Sequence, residues 1–227
     1  MSAMLPAGIH VTSMAYSPGG DILVVGSAAG DVSVVDAISL TEYTAHARFG
    51  VLTDAVTHVS FSPDGSMFAV ASADRYVALF RAGADASAGG GSGVSPTTEG
   101  EGDCGWHLVG KHRSHARRIS DLRFGSDRLG ETRLLSVGED RMLVEYDLER
   151  SSFTEGLLLR GQRTQIEQTA VPLALAWHPR TDSEEFLLVT NSDLKVRLYN
   201  AKTKQCRKTL LGPHHDLPVD RIVVPAA

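Results

Sequence analysis

His115, Ser136 and Asp140 are the residue types of a nucleophilic triad, in which a histidine base and its carboxylate partner activate a serine hydroxyl. His214, His215 and Asp216 have the types and closeness of metal ligands. Lys111, His112, Arg113, Arg117 and Arg118 form a basic segment that could hold an acidic surface, such as a tubulin tail, or a phosphate. Other catalytic patterns are absent. The chain has no Gly-x4-Gly-Lys-Ser/Thr phosphate loop, no Gly-x-Ser-x-Gly elbow, no His-Glu-x-x-His and no EF-hand loop. Whether any of the three groups does chemistry depends on the elements that carry it.

Those elements belong to an ordinary globular composition, 42% hydrophobic and 22% charged. A net charge of -5 disfavours nucleic acid as the main partner. The N-terminal residues lack the basic and apolar regions of a signal peptide, and no apolar run is long enough to span a bilayer. Cys104 and Cys206 lie far apart, so neither a disulfide framework nor a zinc site is expected, and the cytoplasm suits them as reduced thiols.

A repeat organises the chain. A shift of 45 residues lays VTSMAYSPGGDILVVGSAAGDVSVVD on VTHVSFSPDGSMFAVASADRYVALFR with nine identities, among them Ser17, Pro18 and Gly20 on Ser62, Pro63 and Gly65. Two further copies begin at Ile119 and Pro172. An aromatic ends the first strand of each copy, at Tyr16, Phe61, Phe124 and Trp177. Val196 and Leu198 alternate with Lys195 and Arg197, as in a strand with one buried face, while Ile22 to Val25 reads as a strand buried on both faces. About four short strands per copy, parted by Gly, Pro, Asp and Ser turns, is the spacing of propeller blades.

The copies resemble WD repeats, with Gly-His, Ser-Pro-Asp-Gly, a turn Asp and a closing aromatic as template. The likeness is degenerate. In place of Trp-Asp stand Val35-Asp36, Phe80-Arg81, Tyr146-Asp147 and Tyr199-Asn200. The turn Asp recurs as Asp74, Asp140 and Asp193, but the first copy has Ala29. The resemblance implies that His115, Ser136, Asp140 and Tyr146 form a structural hydrogen-bond network, with Asp74 and Asp193 as its turn members, and not a triad. His215 then falls on the template's structural histidine, so no metal and no cofactor is expected.

The fold expected is all-β, a partial WD-repeat β-propeller of four four-stranded blades plus the first strand of a fifth. Its units are 10–46, 47–110 (with a disordered insert at 82–105), 111–161, 162–211 and 212–227. The Gly-rich insert cannot bury enough surface to order. An open arc would need further blades or self-association to cover its ends.

VGKHRSHARRISDLRFG, RLLSVGEDRMLVEYDLERS and FLLVTNSDLKVRLYNAKTKQCRKTLLGP resemble an axonemal WD-repeat family of the calmodulin- and spoke-associated complex. That resemblance implies a non-enzymatic scaffold at a radial-spoke base in the cilium or flagellum, supporting motility, with other spoke-complex subunits as partners. The rival readings are an adaptor subunit of another cytoplasmic complex and a propeller hydrolase. The apolar or small inner-strand residues Met14, Ala15, Val59, Ser60, Leu175 and Ala176 count against the hydrolase.

Overall fold

The structure is a computed structural model that describes residues 10–41, 48–83, 105–127, 129–177, 185–211 and 218–222. Branched and aromatic residues, punctuated by turn formers every few positions, commit these segments to short antiparallel strands. The first sheet contains β1 (Val11–Tyr16), β2 (Ile22–Ser27), β3 (Asp31–Asp36) and β4 (Arg48–Gly50). The second contains β5 (Val56–Phe61), β6 (Met67–Ser72), β7 (Tyr76–Ala82) and β8 (Trp106–Arg113). The third contains β9 (Ile119–Ser126), β10 (Thr132–Gly138), β11 (Met142–Ser152), β12 (Gly156–Leu159) and β13 (Thr164–Gln165), and the fourth β14 (Pro172–Trp177), β15 (Phe186–Asn191), β16 (Lys195–Asn200) and β17 (Cys206–Leu211). Each sheet is a meander with neighbours in chain order, save that β13 pairs with β11, and successive sheets pack in an arc that does not close.

Apolar side chains on both faces of the middle strands dictate this stacking. Three of the four cores lie between blades, and the fourth, a small cluster of Leu23, Val25 and Val35, belongs to the first blade alone. Ile22, Val24, Val32 and Val34 meet Val56, Phe68, Val70 and Phe80 between the first and second. Val77, Leu79 and Val109 meet Ile119, Leu134, Val144 and Tyr146 between the second and third. Leu135, Val137 and Leu143 meet Leu175, Leu187, Val189 and Tyr199 between the third and fourth. Complete burial of each such side chain is worth about 1.5–3 kcal/mol. Aromatics fill the first core, where Phe68 stacks on Phe80 with centroids 4.6 Å apart and Trp106 tilts against Phe68 at 4.9 Å.

Polar stitches fix the angle between blades. Thr12 Oγ1 donates to the Val56 carbonyl at 2.6 Å, and Ser60 Oγ accepts from the Phe124 amide at 3.3 Å. Asp121 Oδ2 accepts from the Leu175 amide at 2.9 Å. Each comes from an inner strand and reaches the inner strand of the next blade. All four inner-strand ladders also shift register near one end, at Val11/Ser13, Val56/His58, Val137/Gly138 and Pro172/Ala174. At the first two, Thr12 and Thr57 donate to the carbonyls of Gly26 and Ala71, each at 3.2 Å. Such bulges re-aim side chains that a regular pleat would point elsewhere.

Several expected boundaries move. β4 belongs to the first sheet although it lies beyond residue 46, and β8 carries Lys111 to Arg113 in the second sheet, beyond residue 110. The outer edge of the third sheet is divided between β12 and β13, both paired with the 11-residue β11, on either side of Gly161 at φ 83°. β13 thus joins the third sheet, although it lies beyond residue 161, where the expected third unit ends. Ala82, placed in the insert from sequence, ends β7 and pairs with Trp106. The Gly83 amide donates to the Gly105 carbonyl at 2.6 Å, so the insert leaves and re-enters at adjoining points. The insert's residues 84–104 lie outside the described residues. For the fifth strand, residues 218–222 are described and form no strand, and the others expected in it, His215 and Val224 included, lie outside the described residues. Val219 is nevertheless tied to the fourth blade, since Thr190 Oγ1 donates to its carbonyl at 2.8 Å.

Blade contact is tightest at Gly125, where a Cβ would stand 1.8 Å from Trp177 Cδ1. Gly125→Ala is expected to lower stability by about 2 kcal/mol, read as a fall in the urea midpoint. An unchanged midpoint would contradict this packing of the third blade on the fourth.

Candidate functional site

The candidate residues gather at one end of the blades, where the turn between the second and third strands meets the linker from the preceding blade. In the third blade, Gly138 ends β10 and Asp140 sits in the turn, while the linker lays His115 over both. His115 Nδ1 bonds Asp140 Oδ1 at 2.9 Å, and Nε2 bonds Ser136 Oγ at 2.8 Å. Ser136 Oγ lies 2.9 Å from Tyr146 Oη. A single assignment satisfies every member. Tyr146 donates to Ser136, Ser136 donates to Nε2, and a neutral imidazole donates from Nδ1 to Asp140. Asp140 Oδ2 also accepts from the Ala116 amide at 2.7 Å, and Oδ1 accepts from the Met142 amide at 3.2 Å.

This arrangement cannot serve as a triad. Ser136 is 0% exposed and His115 1% exposed, so no substrate carbonyl reaches the hydroxyl. Burial pushes the Tyr146 hydroxyl far up, against the weaker opposing effect of the Ser114 and Ser136 hydroxyls, so it stays protonated and donating. Burial raises the Asp140 carboxyl. The hydrogen bond and interaction with His115, with the Ala116 and Met142 amides, outweigh that and hold it below the ordinary carboxylate range.

The other blades vary the scheme. In the second, Thr53 takes the linker place. Its hydroxyl donates to Asp74 Oδ2 at 2.5 Å, and Ser72 donates to Asp74 Oδ1. The chain stops there because Phe80 has no hydroxyl. In the fourth, Asp193 does not join a network: its carboxylate stands 3.6 Å from Lys195 Nζ and is 44% exposed. Glu167 fills the linker place instead, and its charge would repel Asp193 there. The Glu167 carboxylate, 1% exposed, accepts from Asn191 Nδ2 at 3.0 Å and pairs with Arg197 Nη1 at 2.8 Å. Tyr199 Oη donates to the Ile166 carbonyl at 2.8 Å. Burial, with the Glu167 charge adding to it and Arg197 opposing, pushes the Tyr199 hydroxyl up to about 12. Sequence reading missed Glu167, because nothing in the local pattern distinguishes it from a solvated glutamate. Its one signal was the absence of a histidine at the linker position before Pro172.

The residue after each turn position is left-handed: Gly30 at φ 88°, Arg75 at 74°, Arg141 at 68° and Leu194 at 61°. A side chain there costs about 1 kcal/mol. Gly30 has no alternative, since a Cβ would lie 2.4 Å from the Leu52 carbonyl oxygen. Arg75 and Arg141 instead reach the next linker, donating to the Ala116 carbonyl (3.0 Å) and the Gln168 carbonyl respectively.

The basic segment is not one loop. Lys111, His112 and Arg113 lie on β8, paired with Ala78, Val77 and Tyr76, because the ladder with β7 continues to its end. Lys111 Nζ donates to the Val51 carbonyl at 2.9 Å and stands 5.7 Å over the Tyr76 ring. His112 is half-buried, and burial, then the Arg163 charge, lower its pKa, so it adds no positive charge at neutral pH. Arg113, Arg117 and Arg118 are exposed. Among the described residues no group of three or more His, Cys, Asp or Glu side chains could hold a metal, and His214 to Asp216 lie outside them. No helix of the described residues is long and apolar enough to cross a membrane.

Comparison with known proteins gives this geometry a family setting. The WD domain, G-beta repeat model matches residues 7–36 and 38–81. The chain is 36% identical over 224 residues to cilia- and flagella-associated protein 251 of Pongo abelii, covering 98% of this chain and 18% of that protein. The namesake of Mus musculus is 35% identical over 218 residues, 96% of this chain and 15% of its own length. The chain thus spans less than a fifth of these curated relatives. A chain in a structure titled Crystal Structure of Mitotic Checkpoint Complex superposes with a TM-score of 0.65 at 19% identity, over 92% of this chain and 53% of that one, a likeness of fold.

Two sets of variants test the networks. His115→Ala strips partners from Ser136 and Asp140 and should cost about 2–4 kcal/mol in a urea melt. Because the folded pKa of Asp140 is depressed, its contribution is complete above the unfolded value of about 3.9 and is lost as pH falls through the folded value. The stability gap between wild type and Asp140→Asn should therefore hold steady above about pH 4 and shrink as the pH falls below that. Glu167→Ala leaves Arg197 and Asn191 without their buried partner and should cost about 3 kcal/mol, whereas Asp193→Ala should stay within about 0.5 kcal/mol of wild type.

Proposed function

Because the chain belongs to the WD-repeat β-propeller family, we propose that it is a protein-interaction scaffold of the cilium or flagellum and not an enzyme. The observation that carries this reading is a likeness of 35–36% identity running through all four blades to proteins named for cilia and flagella. Relatives of the same name in Tetrahymena thermophila and Chlamydomonas reinhardtii, at 29% over 139 residues and 34% over 104, support the same address. The non-catalytic role is supported by the burial of the Ser136, His115 and Asp140 side chains, since their hydrogen bonds are consumed within the blade.

At finer grain, the chain is an axonemal component of the calmodulin- and spoke-associated complex, seated at a radial-spoke base on the cytoskeleton and supporting motility. Its partners are other spoke-complex subunits and tubulin. The family resemblance of the stretches that make up the third and fourth blades supports this. Missing blades supplied by the rest of a longer protein, or a second copy, complete the arc.

Proximity labelling from the chain in a ciliated cell tests the proposal. Radial-spoke proteins should dominate the labelled set. A set dominated by a cytoplasmic adaptor complex would establish the rival scaffold reading instead.

A further inference from the structure

Two groups of six stand out among the 22 arginines and lysines of this chain. Arg48, Arg123, Arg133, Lys195, Arg197 and Lys204 each stand within ion-pair distance of a carboxylate. A second set converges from three segments onto the end of the second and third blades where the linkers run. Arg75 comes from a turn, Lys111, Arg113, Arg117 and Arg118 from β8 and the linker after it, and Arg163 from the approach to β13. Two contacts bring the three segments together. Arg75 Nη1 donates to the Ala116 carbonyl at 3.0 Å, and Arg163 Nη2 donates to the Arg113 carbonyl at 3.1 Å.

None of these six has a carboxylate within ion-pair distance among the described residues. Of the nearby acids, Asp140 is committed to His115 and Asp74 to Thr53 and Ser72, while Glu139, whose amide donates to the Arg118 carbonyl at 2.8 Å, forms no ion pair with the six. Where the six make polar contacts, their acceptors are backbone carbonyls, which orient a side chain without neutralising it. The chain as a whole is acidic at -5, so this concentration of unpaired positive charge is a local departure from its average. The downward shift of the His112 pKa, to which Arg163 contributes after burial, reports the same positive field.

We propose that this linker face of the second and third blades docks an acidic segment of a partner protein, an extended stretch rich in Glu and Asp. Guanidinium groups suit such a ligand because each presents a planar fork of donors to a carboxylate. Arg75 and Arg163, tethered to neighbouring loops, are already ordered, so docking costs little side-chain entropy there. Arg117 and Arg118 are the exposed members that meet the ligand first. The inference rests on the scaffold reading above and specifies the chemistry of one of its partners.

The test measures fluorescence anisotropy of a labelled poly-glutamate peptide titrated with the full 227-residue chain. A poly-glutamine peptide of equal length, a single-stranded RNA oligonucleotide and phosphatidylserine vesicles serve as competitors. The glutamate peptide should bind, and its affinity should fall steeply between about 50 and about 200 mM salt. Arg117→Glu with Arg118→Glu should weaken it at least about tenfold with the melting temperature unchanged, because both side chains are exposed and hold nothing in place. Arg150→Glu with Lys208→Glu, a reversal of equal size elsewhere on the surface, should leave it intact. Undiminished affinity in the first double variant overturns the proposal. So does equal binding of poly-glutamine, or tighter binding of RNA or vesicles than of poly-glutamate. Proximity labelling reads the scaffold proposal independently, so either can fail without the other.

Discussion

A four-stranded sheet with apolar side chains on both faces has nowhere to put them in water, and every other feature of this molecule follows from that constraint. Val24, Val34, Phe68 and Val70 are 0% exposed only because the first blade lies on the second. The same holds for Leu79 against Leu134, and for Leu135 against Leu187. Stability is therefore distributed over interfaces between neighbours, as in repeat proteins generally. The hydrogen bonds from Thr12, Ser60 and Asp121 then choose one angle among the many that burial alone would permit.

The polar networks solve a second problem raised by the same stacking. A linker passing from one blade to the next brings polar groups into a region closed by packed strands, where each must find a partner. Three blades do this with three chemistries. His115 shares a proton chain with Ser136, Tyr146 and Asp140, Thr53 bonds Asp74, and Glu167 is held by Asn191 and Arg197. These are equivalent answers to one geometrical need, which is why a serine, a histidine and an aspartate can converge with no reaction to perform. Variation in the network leaves the fold unchanged, and it frees the outward-facing turn and linker residues, Arg75 and Arg141 among them, to differ between blades.

The sequence by itself determined the three inner strands of each blade and their order. Apolar runs bounded by Ser-Pro-x-Gly turns encode those locally, and a repeat spaced by 45 residues reads them out twice over. It also determined the core of the third network, since His115, Ser136, Asp140 and Tyr146 each occupy a position that a template marks. Tertiary structure alone decided what depends on two distant segments meeting. Asp193 has the right type and place yet faces solvent beside Lys195, because the preceding linker delivers Glu167 to the buried site. The basic stretch looked like one loop, but pairing with β7 holds its first three residues in a strand and packing brings Arg75 and Arg163 to its side. Local pattern sets what a segment can become. Which of its charges end up buried, paired or left facing water is set by the neighbour it packs against, and that neighbour lies tens of residues away.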